Sequence, residues 1–236
     1  MPHISERGAA LPASPIRKLT PYAEAAKARG VKVYHLNIGQ PDLPTPEKAM
    51  EAIRSIDKRT LSYSMSQGTP ALREEFSKYY RTFGIDLDPD EIIVTAGGSE
   101  ALLATFLTCF DPGDEVIITE PGYANYLSFA AAAGLVVKAV TSKIENGFAL
   151  PSAEDFKKAI TPRTKAILIC NPNNPTGYLY SPEELFQLRD LVKEHDLFLI
   201  SDEVYREFVY TGEPYISALT LFGIEENVIV VDSVSK

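Results

Sequence analysis

The run Asn227-Val228-Ile229-Val230-Val231-Asp232-Ser233-Val234-Ser235-Lys236 decides the fold prediction. Its first half is β-branched and apolar, which indicates a buried strand, and its second half is polar, so a lysine follows the carboxyl end of that strand. Ligands collect at this edge of an α/β sheet, and a primary amine there could form a Schiff base with a carbonyl group. For this stretch taken alone, a solvated lysine is the alternative interpretation.

Upstream of this run, apolar segments of strand length alternate with helical patterns from Glu91 onward. Ser152 and Ser181 each precede an acidic residue by three positions, which is typical of a capped helix start. The alternation predicts a three-layer α/β/α domain, in which helices cover both faces of a mainly parallel sheet. The predicted strands are Ile92–Thr95, Val116–Thr119, Leu135–Val140, Ala166–Cys170, Leu197–Ile200 and Val228–Val231.

The first part of the chain has a different character. Residues 1–45 are rich in proline, apart from a predicted helix near Tyr22–Arg29 and a predicted short strand at Val31–Leu36. We expect them to form an N-terminal arm with a segment of a smaller domain, and residues 46–236 to form the large domain. The stretch Asn37-Ile38-Gly39-Gln40-Pro41-Asp42 follows the short strand, and Gly39 serves either close approach of the backbone to a ligand or a plain turn.

Composition excludes several classes of protein. The formal net charge is -9 and there is no basic run, which argues against a nucleic-acid partner. Cys109 and Cys170 lie in apolar segments without metal-ligand spacing, so we expect reduced core thiols and no metal site. The longest apolar stretch, Leu127–Val137, is far short of the roughly 20 residues that span a bilayer. With no secretory signal pattern, the expected location is cytoplasmic.

Polar clusters follow two of the early strands. Thr95-Ala96-Gly97-Gly98-Ser99-Glu100 is a glycine turn before a predicted helix, Ala101–Phe110. Backbone amides at such a helix start, together with the Ser99 hydroxyl, bind phosphate, although the glycines could serve the turn alone. Glu120-Pro121-Gly122-Tyr123-Ala124-Asn125-Tyr126 follows the next strand and could place an aromatic ring either in the same cleft or in the core.

Two further clusters follow the later strands. Asn171-Pro172-Asn173-Asn174-Pro175-Thr176-Gly177 forms a rigid polar turn, whose amides can donate to a phenolate or a carboxylate. Ser201-Asp202-Glu203-Val204-Tyr205 places a carboxylate at a strand end, where it is partly desolvated. Because an isolated buried carboxylate is costly, Asp202 requires a cationic partner or hydrogen bonds.

Three motifs lie in order on successive strand ends: Asn174-Pro175-Thr176-Gly177, Asp202-x-x-Tyr205 and Ser233-x-Ser235-Lys236. This arrangement resembles fold-type I pyridoxal-phosphate enzymes, specifically class I and II aminotransferases similar to bacterial aspartate aminotransferases. The resemblance runs from about Asn37 to the last residue. It implies a pyridoxal 5'-phosphate cofactor, ping-pong exchange of an amino group between an L-amino acid and a 2-oxo acid, and a homodimer with shared active sites.

The resemblance also implies roles for individual residues. Lys236 would hold the cofactor as a Schiff base and move a proton between the substrate α-carbon and the cofactor, while Asp202 would keep the pyridine nitrogen protonated. Tyr205, the third catalytic residue, and Asn174 would bind the phenolic oxygen. Gly39 and Asn174 would contact the substrate carboxylate. The implied cofactor-binding residues are Gly98, Ser99, Glu100, Tyr123, Asn174, Asp202, Tyr205, Ser233, Lys236 and, from the neighbouring subunit, Tyr63.

Some of these assignments have particular forms. Gly98, Ser99 and Ser233 would bind the phosphate through backbone and hydroxyl groups, and Glu100 would contribute only its amide, since its side chain is acidic. Tyr123 would stack on the cofactor ring, where many aspartate-specific relatives have tryptophan. This chain contains no tryptophan, so the difference bears on the substrate and not on the cofactor.

The sequence ends at Lys236, whereas family members continue through a phosphate-binding arginine, further strands and a small domain. We therefore expect the C-terminal small domain to be absent from this chain, either because the sequence covers part of a longer protein or because the protein is truncated. A β-lyase or synthase on the same fold is the nearest alternative function. A non-catalytic regulatory module is another, but no basic helix-turn-helix pattern precedes Asn37.

Overall fold

The central sheet contains five parallel strands in the order β2-β1-β3-β4-β5. This computed structural model describes residues 2–12, 14, 16–37, 39 and 43–236. The strands are β1 (Glu115–Glu120), β2 (Val136–Thr141), β3 (Thr164–Cys170), β4 (Phe198–Asp202) and β5 (Val228–Val231). The helices are α1 (Glu6–Ala10), α2 (Thr20–Ala28), α3 (Glu47–Arg54), α4 (Pro70–Arg81), α5 (Gly98–Cys109), α6 (Asn125–Ala133), α7 (Ala153–Ala159) and α8 (Pro182–His195).

Helices cover both faces of the sheet, which confirms the predicted α/β/α layering. Alternate residues of each strand point to opposite faces, so Ile167 of β3 belongs to one core and Leu168 to the other. Each such fully buried aliphatic side chain contributes about 1.5–3 kcal/mol to folding. One core joins the strands to α7 and α8 through Phe156, Leu185, Leu188, Leu191 and Val192. The other joins them to α5 and α6 through Leu102, Phe106, Tyr126, Ala130 and Ala133.

The register of the strands brings their carboxyl ends together. Asp202, the last residue of β4, is paired with Cys170 at the end of β3 and with Val231 at the end of β5. The loops that follow these three strands therefore begin at one edge of the sheet. This edge contains most of the candidate site residues.

The predicted helix starts at Ser152 and Ser181 are confirmed. The Ser152 hydroxyl accepts a hydrogen bond from the Asp155 amide. Ser181 and Glu184 form a reciprocal capping box at the start of α8, in which each side chain accepts from the other residue's backbone amide. These caps satisfy amides that have no partner within the helix. His195 lies in the last turn of α8.

Two predicted strands are wrong. Ile92–Thr95 is not part of the sheet: Val94 donates its amide to the Gln67 carbonyl at 3.0 Å, and the side chain of Ile93 is 72% exposed. Val31–Leu36 is irregular, and Leu36 is 95% exposed. Alternating apolar residues favour an extended backbone, but a strand also needs a neighbouring strand to pair with, and neither segment has one in the described parts of the chain.

The remaining expectations for single segments have mixed outcomes. The helices predicted near Tyr22–Arg29 and Ala101–Phe110 correspond to α2 and α5, although α5 begins earlier, at Gly98. Cys109 and Cys170 are both free thiols. Within the predicted turn after residue 36, positions 38 and 40–42 lie outside the described residues. None of the helices in the described ranges is long and apolar enough to cross a bilayer.

Candidate active site

Asp202 lies buried at the carboxyl edge of the sheet, with 7% of its surface exposed. Its Oδ2 atom accepts a hydrogen bond from the Tyr126 hydroxyl at 2.7 Å, and its Oδ1 atom accepts one from the Val204 amide at 3.3 Å. Burial raises the pKa of Asp202 above its ordinary value, although the Tyr126 and Val204 hydrogen bonds act in the opposite direction. Among the described residues no cation pairs with this carboxylate, so the site favours a ligand with a positive charge at this point.

Tyr126 is a site residue that the sequence interpretation missed. It lies in the first turn of α6, is 1% exposed, and packs edge-on against Tyr123 with 5.4 Å between ring centroids. Burial raises its pKa, and the neighbouring Cys170 and Asp202 raise it further, so the hydroxyl stays a donor. The sequence does contain a signal for this role, since Tyr126 lies within an apolar helix. A tyrosine buried on such a helix needs a hydrogen-bond partner for its hydroxyl, which indicates a polar group nearby.

Tyr123 and Tyr205 lie beside the same carboxylate. The side-chain amide of Asn125, the first residue of α6, donates to the Tyr123 hydroxyl at 2.7 Å and so orients that ring. Tyr205 is half-buried, and its pKa is raised first by burial and then by Cys170, Asp202 and Tyr123. The structure therefore brings three of the predicted residues, Asp202, Tyr205 and Tyr123, into one neighbourhood.

The loop after β3 is fastened to the loop after β1. The Asn173 side-chain amide donates to the Pro121 carbonyl at 3.0 Å and to the Thr176 hydroxyl at 2.7 Å. Asn174, the next residue, is half-buried, and a hydrogen bond from its backbone lowers the pKa of Cys170. Burial is the larger influence and raises the pKa of Cys170 to about 12. Because Cys170 is paired with Asp202 across the sheet, Asn174 lies at the same edge.

The start of α5 adjoins the turn after β5. Gly97 has a φ of 152°, which residues with a side chain rarely adopt. Gly98 lies close to β5, because a Cβ atom on it would be 3.5 Å from Val231 Cγ1 and 3.9 Å from Ser233 Cβ. Gly98 and Ser99 are in the first helical turn, where amides have no intrahelical partner. The Glu100 side chain instead folds back and accepts from the Ala96 amide. This arrangement presents backbone donors beside the Ser233 hydroxyl, a geometry suited to a phosphate.

Lys236 and Gly39 are also brought together, whereas Tyr63 is not. The Lys236 amine donates to the Gly39 carbonyl at 3.4 Å. The N-terminal segment therefore reaches the turn formed by residues 233–236, which we call the lysine turn. The Ser233 hydroxyl donates to the Ser235 hydroxyl at 3.0 Å within the same turn. The Tyr63 side chain is fully exposed in the loop before α4, and the fold of one chain leaves it outside the cluster.

The fold and the site together define an α/β domain whose carboxyl strand ends are suited to a phosphorylated small molecule with a cationic nitrogen. The desolvated carboxylate of Asp202 and the donors around Gly98 and Ser233 fit the pyridine nitrogen and the phosphate of pyridoxal phosphate, respectively. The chain belongs to the class I and II aminotransferase family, whose sequence model matches residues 31–236. Members of this family depend on pyridoxal phosphate, so the predicted family, fold and cofactor are confirmed.

Individual relatives show how far the similarity extends. The chain is 40% identical over 214 residues to the aspartate/prephenate aminotransferase of Thermus thermophilus, a match that covers 90% of this chain and 55% of the relative. The aspartate aminotransferase structure from Thermotoga maritima superposes with a TM-score of 0.93 at 36% identity, over 99% of this chain and 62% of that one. An alanine aminotransferase from Pyrococcus furiosus superposes with a TM-score of 0.89 at 34% identity, over 99% of this chain and 60% of that one. The chain therefore spans about three fifths of the length of these relatives.

Proposed function

We propose that this chain is the cofactor-binding part of a pyridoxal-phosphate-dependent aminotransferase, which moves an amino group between an L-amino acid and a 2-oxo acid. The observation that supports this proposal most strongly is the buried carboxylate of Asp202, which forms an ion pair with no described residue and lies at the edge where the Ser233–Lys236 turn begins. Family membership supports it independently. Residues 46–236 would form the large domain, and residues 1–45 an arm with a segment of the smaller one.

The cofactor would be held at five points by this chain. Asp202 would pair with the pyridine nitrogen, with Tyr126 fixing the orientation of the carboxylate through its 2.7 Å hydrogen bond. Asn174 and Tyr205 would donate to the phenolic oxygen. Lys236 would bind the aldehyde carbon covalently. The phosphate would accept hydrogen bonds from the amides of Gly98 and Ser99 and from the Ser233 hydroxyl, and Tyr123 would stack on the ring. The Glu100 amide, also assigned to the phosphate by the resemblance, donates to the Gly97 carbonyl at 3.0 Å and would have to share that donor.

When bound, pyridoxal phosphate supplies an electron sink that stabilises negative charge at the substrate α-carbon. Asp202 would maintain the proton on the ring nitrogen, because a carboxylate in this desolvated position favours a cationic partner strongly. Once the substrate amine has displaced it from the cofactor, the Lys236 amine would take the proton from the substrate α-carbon as a general base and would deliver it to the cofactor as a general acid. The neighbouring tyrosines and the Asn171–Gly177 loop would exclude water from this side of the ring.

The substrate class proposed is an L-amino acid of the aspartate type or another, with a 2-oxo acid as acceptor. Gly39 supports this proposal, because its carbonyl accepts from the Lys236 amine at 3.4 Å and its backbone therefore lies beside the proposed reacting lysine, where the substrate carboxylate would bind. Asn174 would contact the same carboxylate. The relatives are named for aspartate, prephenate and alanine, so the family likeness leaves the choice of side chain open.

The homodimer and the cytoplasmic location stay predictions. Tyr63 supports the dimer, because a fully exposed tyrosine outside the site of its own chain is available to the phosphate of a neighbouring subunit. In that arrangement each active site would combine Lys236 of one protomer with Tyr63 of its partner.

A lysine variant tests the proposed function. We expect Lys236→Ala to lose transamination by at least about 10²–10⁴-fold, the usual contribution of a positioned acid-base group, because the substrate proton then has no acceptor. Lys143→Ala, a change at another exposed lysine, is the matched control and should retain wild-type activity. Initial rates with L-aspartate and a 2-oxo acid measure the effect. Near-normal exchange by the Lys236 variant would overturn the proposal.

A further inference from the structure

A buried charge cluster lies behind the lysine turn and has no part in the function described so far. Its members are Tyr80 of α4, Glu203 and Arg206 after β4, and Asp232 after β5. The side chains of Arg206 and Glu203 are 1% and 0% exposed, and that of Asp232 is 28% exposed. The cluster thus joins three separate elements beneath the proposed cofactor site.

Arg206 is the centre of this cluster. Its Nη2 atom lies 3.2 Å from Glu203 Oε2 and 3.1 Å from Asp232 Oδ2, and it donates to the Tyr80 hydroxyl at 2.9 Å. The guanidinium also lies over the Tyr80 ring, 4.4 Å from its centroid. One cation therefore holds two carboxylates that would otherwise repel each other at neighbouring strand ends.

Glu203 is fixed independently of Arg206. Its Oε1 atom accepts from the Ala218 amide at 2.8 Å, and its Oε2 atom accepts from the Ser217 hydroxyl at 2.8 Å. Its own amide donates to the Val231 carbonyl at 2.8 Å. These hydrogen bonds hold the Glu203 carboxylate in place beside Arg206. Asp232 is the member of the cluster that is next to the proposed site.

Asp232 connects the cluster to the cofactor residues. Its Oδ1 atom accepts from the Ser233 amide at 2.7 Å, while its Oδ2 atom accepts from the Tyr80 hydroxyl at 3.2 Å and forms an ion pair with Arg206 Nη2 at 3.1 Å. One oxygen thus holds the cluster and the other holds the backbone of the lysine turn. The next residue, Ser233, lies beside Gly98 at the proposed phosphate position.

We propose that Arg206 and Asp232 are positioning residues of the cofactor site, in which Arg206 holds Asp232 and Asp232 holds the Ser233 backbone so that the Ser233 hydroxyl meets the cofactor phosphate. This inference rests on the proposed function, since it assigns a cofactor to the site. Buried ion pairs contribute little net stability compared with apolar packing, and the best-supported reason for retaining them is that they specify one geometry. Here the geometry specified is the start of the lysine turn.

A double-mutant cycle on cofactor binding tests this proposal. Calorimetry on cofactor-free protein would give the dissociation constant of pyridoxamine 5'-phosphate, which binds without a covalent bond to Lys236. We expect Asp232→Ala and Ser233→Ala each to weaken binding by about tenfold, the effect of losing one well-oriented hydrogen bond to a charged group. The double variant should also lose only about tenfold, because Asp232 acts through Ser233. A loss of about a hundredfold, or none for Asp232→Ala, would overturn the proposal.

Arg206 is tested by a graded pair of variants. Arg206→Met should weaken binding to the same extent as Asp232→Ala, and Arg206→Lys should restore part of the affinity because it keeps the charge. If Arg206→Met does not fold, Tyr80→Phe removes the bridging hydroxyl alone and should weaken binding several-fold. Arg73→Met is the matched control. Arg73 is also buried, and its Nη1 atom lies 2.8 Å from Asp90 Oδ1, in an ion pair that is separate from the Arg206 cluster. The control variant should lower thermal stability and leave the dissociation constant unchanged.

The same measurements separate this inference from the proposed function. If Ser233→Ala and Asp202→Asn both leave pyridoxamine 5'-phosphate binding unchanged, the cofactor site itself is wrong and the inference falls with it. If those two variants weaken binding but the Arg206 and Asp232 variants do not, the cofactor site stands and only the positioning role is contradicted.

Discussion

At the scale of single residues, the hydrogen bond from Tyr126 to Asp202 connects α6 with the end of β4. It is the shorter of the two hydrogen bonds that hold a carboxylate which burial otherwise penalises. Removing it would leave the Asp202 charge more weakly held and the carboxylate free to turn. Both effects would weaken the pairing that we propose with the cofactor nitrogen.

Tyr126→Phe tests that connection. We expect cofactor affinity to fall by about tenfold to a hundredfold, because hydrogen bonds to charged groups contribute about 1.5–3 kcal/mol. Equilibrium dialysis against pyridoxamine 5'-phosphate would measure the change. Tyr180→Phe is the matched control, since Tyr180 is also buried but donates to the neutral Thr119 hydroxyl at 3.3 Å. Equal losses in the two variants would contradict a specific role for Tyr126.

The raised pKa of Asp202 gives cofactor-free protein a pH dependence of known sign. Burial raises this pKa in the folded state, so the folded protein holds the Asp202 proton more tightly than the unfolded chain does. As pH rises above the ordinary aspartate pKa, the unfolded chain loses its proton first, and the free energy of unfolding falls until pH exceeds the folded-state pKa. Above that pH the free energy of unfolding falls no further on account of Asp202.

Asp202→Asn removes this titration. We expect the cofactor-free variant to be more stable than wild type at neutral pH, by about 2–4 °C in Tm for each kcal/mol recovered, and to show no such advantage near pH 4. Thermal unfolding across that range measures the difference. Asp57→Asn, at an exposed position, is the control and should match wild type throughout. A constant difference between Asp202→Asn and wild type at every pH would contradict the assigned burial penalty.

Sequence patterns indicated the residues of the site that lie within motifs and missed those defined by contacts between distant elements. Asp202 was predictable because a carboxylate directly after an apolar strand is unusual. Tyr126 and Arg206 were not predictable, because their partners are distant in the sequence. Tyr126 bonds to Asp202, 76 positions away, and Arg206 bonds to Tyr80, 126 positions away. Only packing of α4 and α6 against the strand ends creates those contacts.

At the scale of elements, the sheet was predictable wherever a strand and its neighbour both belong to the described fold. Each of the five observed strands overlaps a predicted one, because buried parallel strands are continuous apolar runs. Ile92–Thr95 has the same pattern and still fails, because pairing is a property of two segments. The capping residues of α7 and α8 were predictable for the opposite reason, since a cap involves residues only three positions apart.

At the scale of the whole molecule, the part of the chain before α4 leaves large apolar side chains exposed, among them Leu36, Leu61 and Tyr63. The family's active sites are expected to be shared between subunits, and Tyr63 is the residue of this chain assigned to that role. If two subunits share each active site, the dimer can be tested by activity, without a measurement of its molecular mass. Two inactive variants, one lacking Lys236 and one lacking Tyr63, would form one intact site when they assemble together.

Mixing Lys236→Ala and Tyr63→Ala proteins tests this arrangement. If subunits exchange at random in a dimer, half of the dimers are hybrids with one intact site of two, so we expect activity to rise to about a quarter of wild type. Each variant incubated alone under the same conditions is the control. No recovery in the mixture, after exchange of subunits has been verified with a labelled chain, would contradict the shared site.

The central claim is that Lys236 and Asp202 serve a pyridoxal-phosphate aminotransferase, and the first half of the reaction tests it most directly. We would record the absorption spectrum of the purified full-length protein before and after adding L-aspartate or L-glutamate without an acceptor. We expect the band of lysine-bound pyridoxal phosphate to be replaced by that of pyridoxamine phosphate, with one 2-oxo acid formed per site. A band that persists, with or without release of ammonia, would contradict the claim.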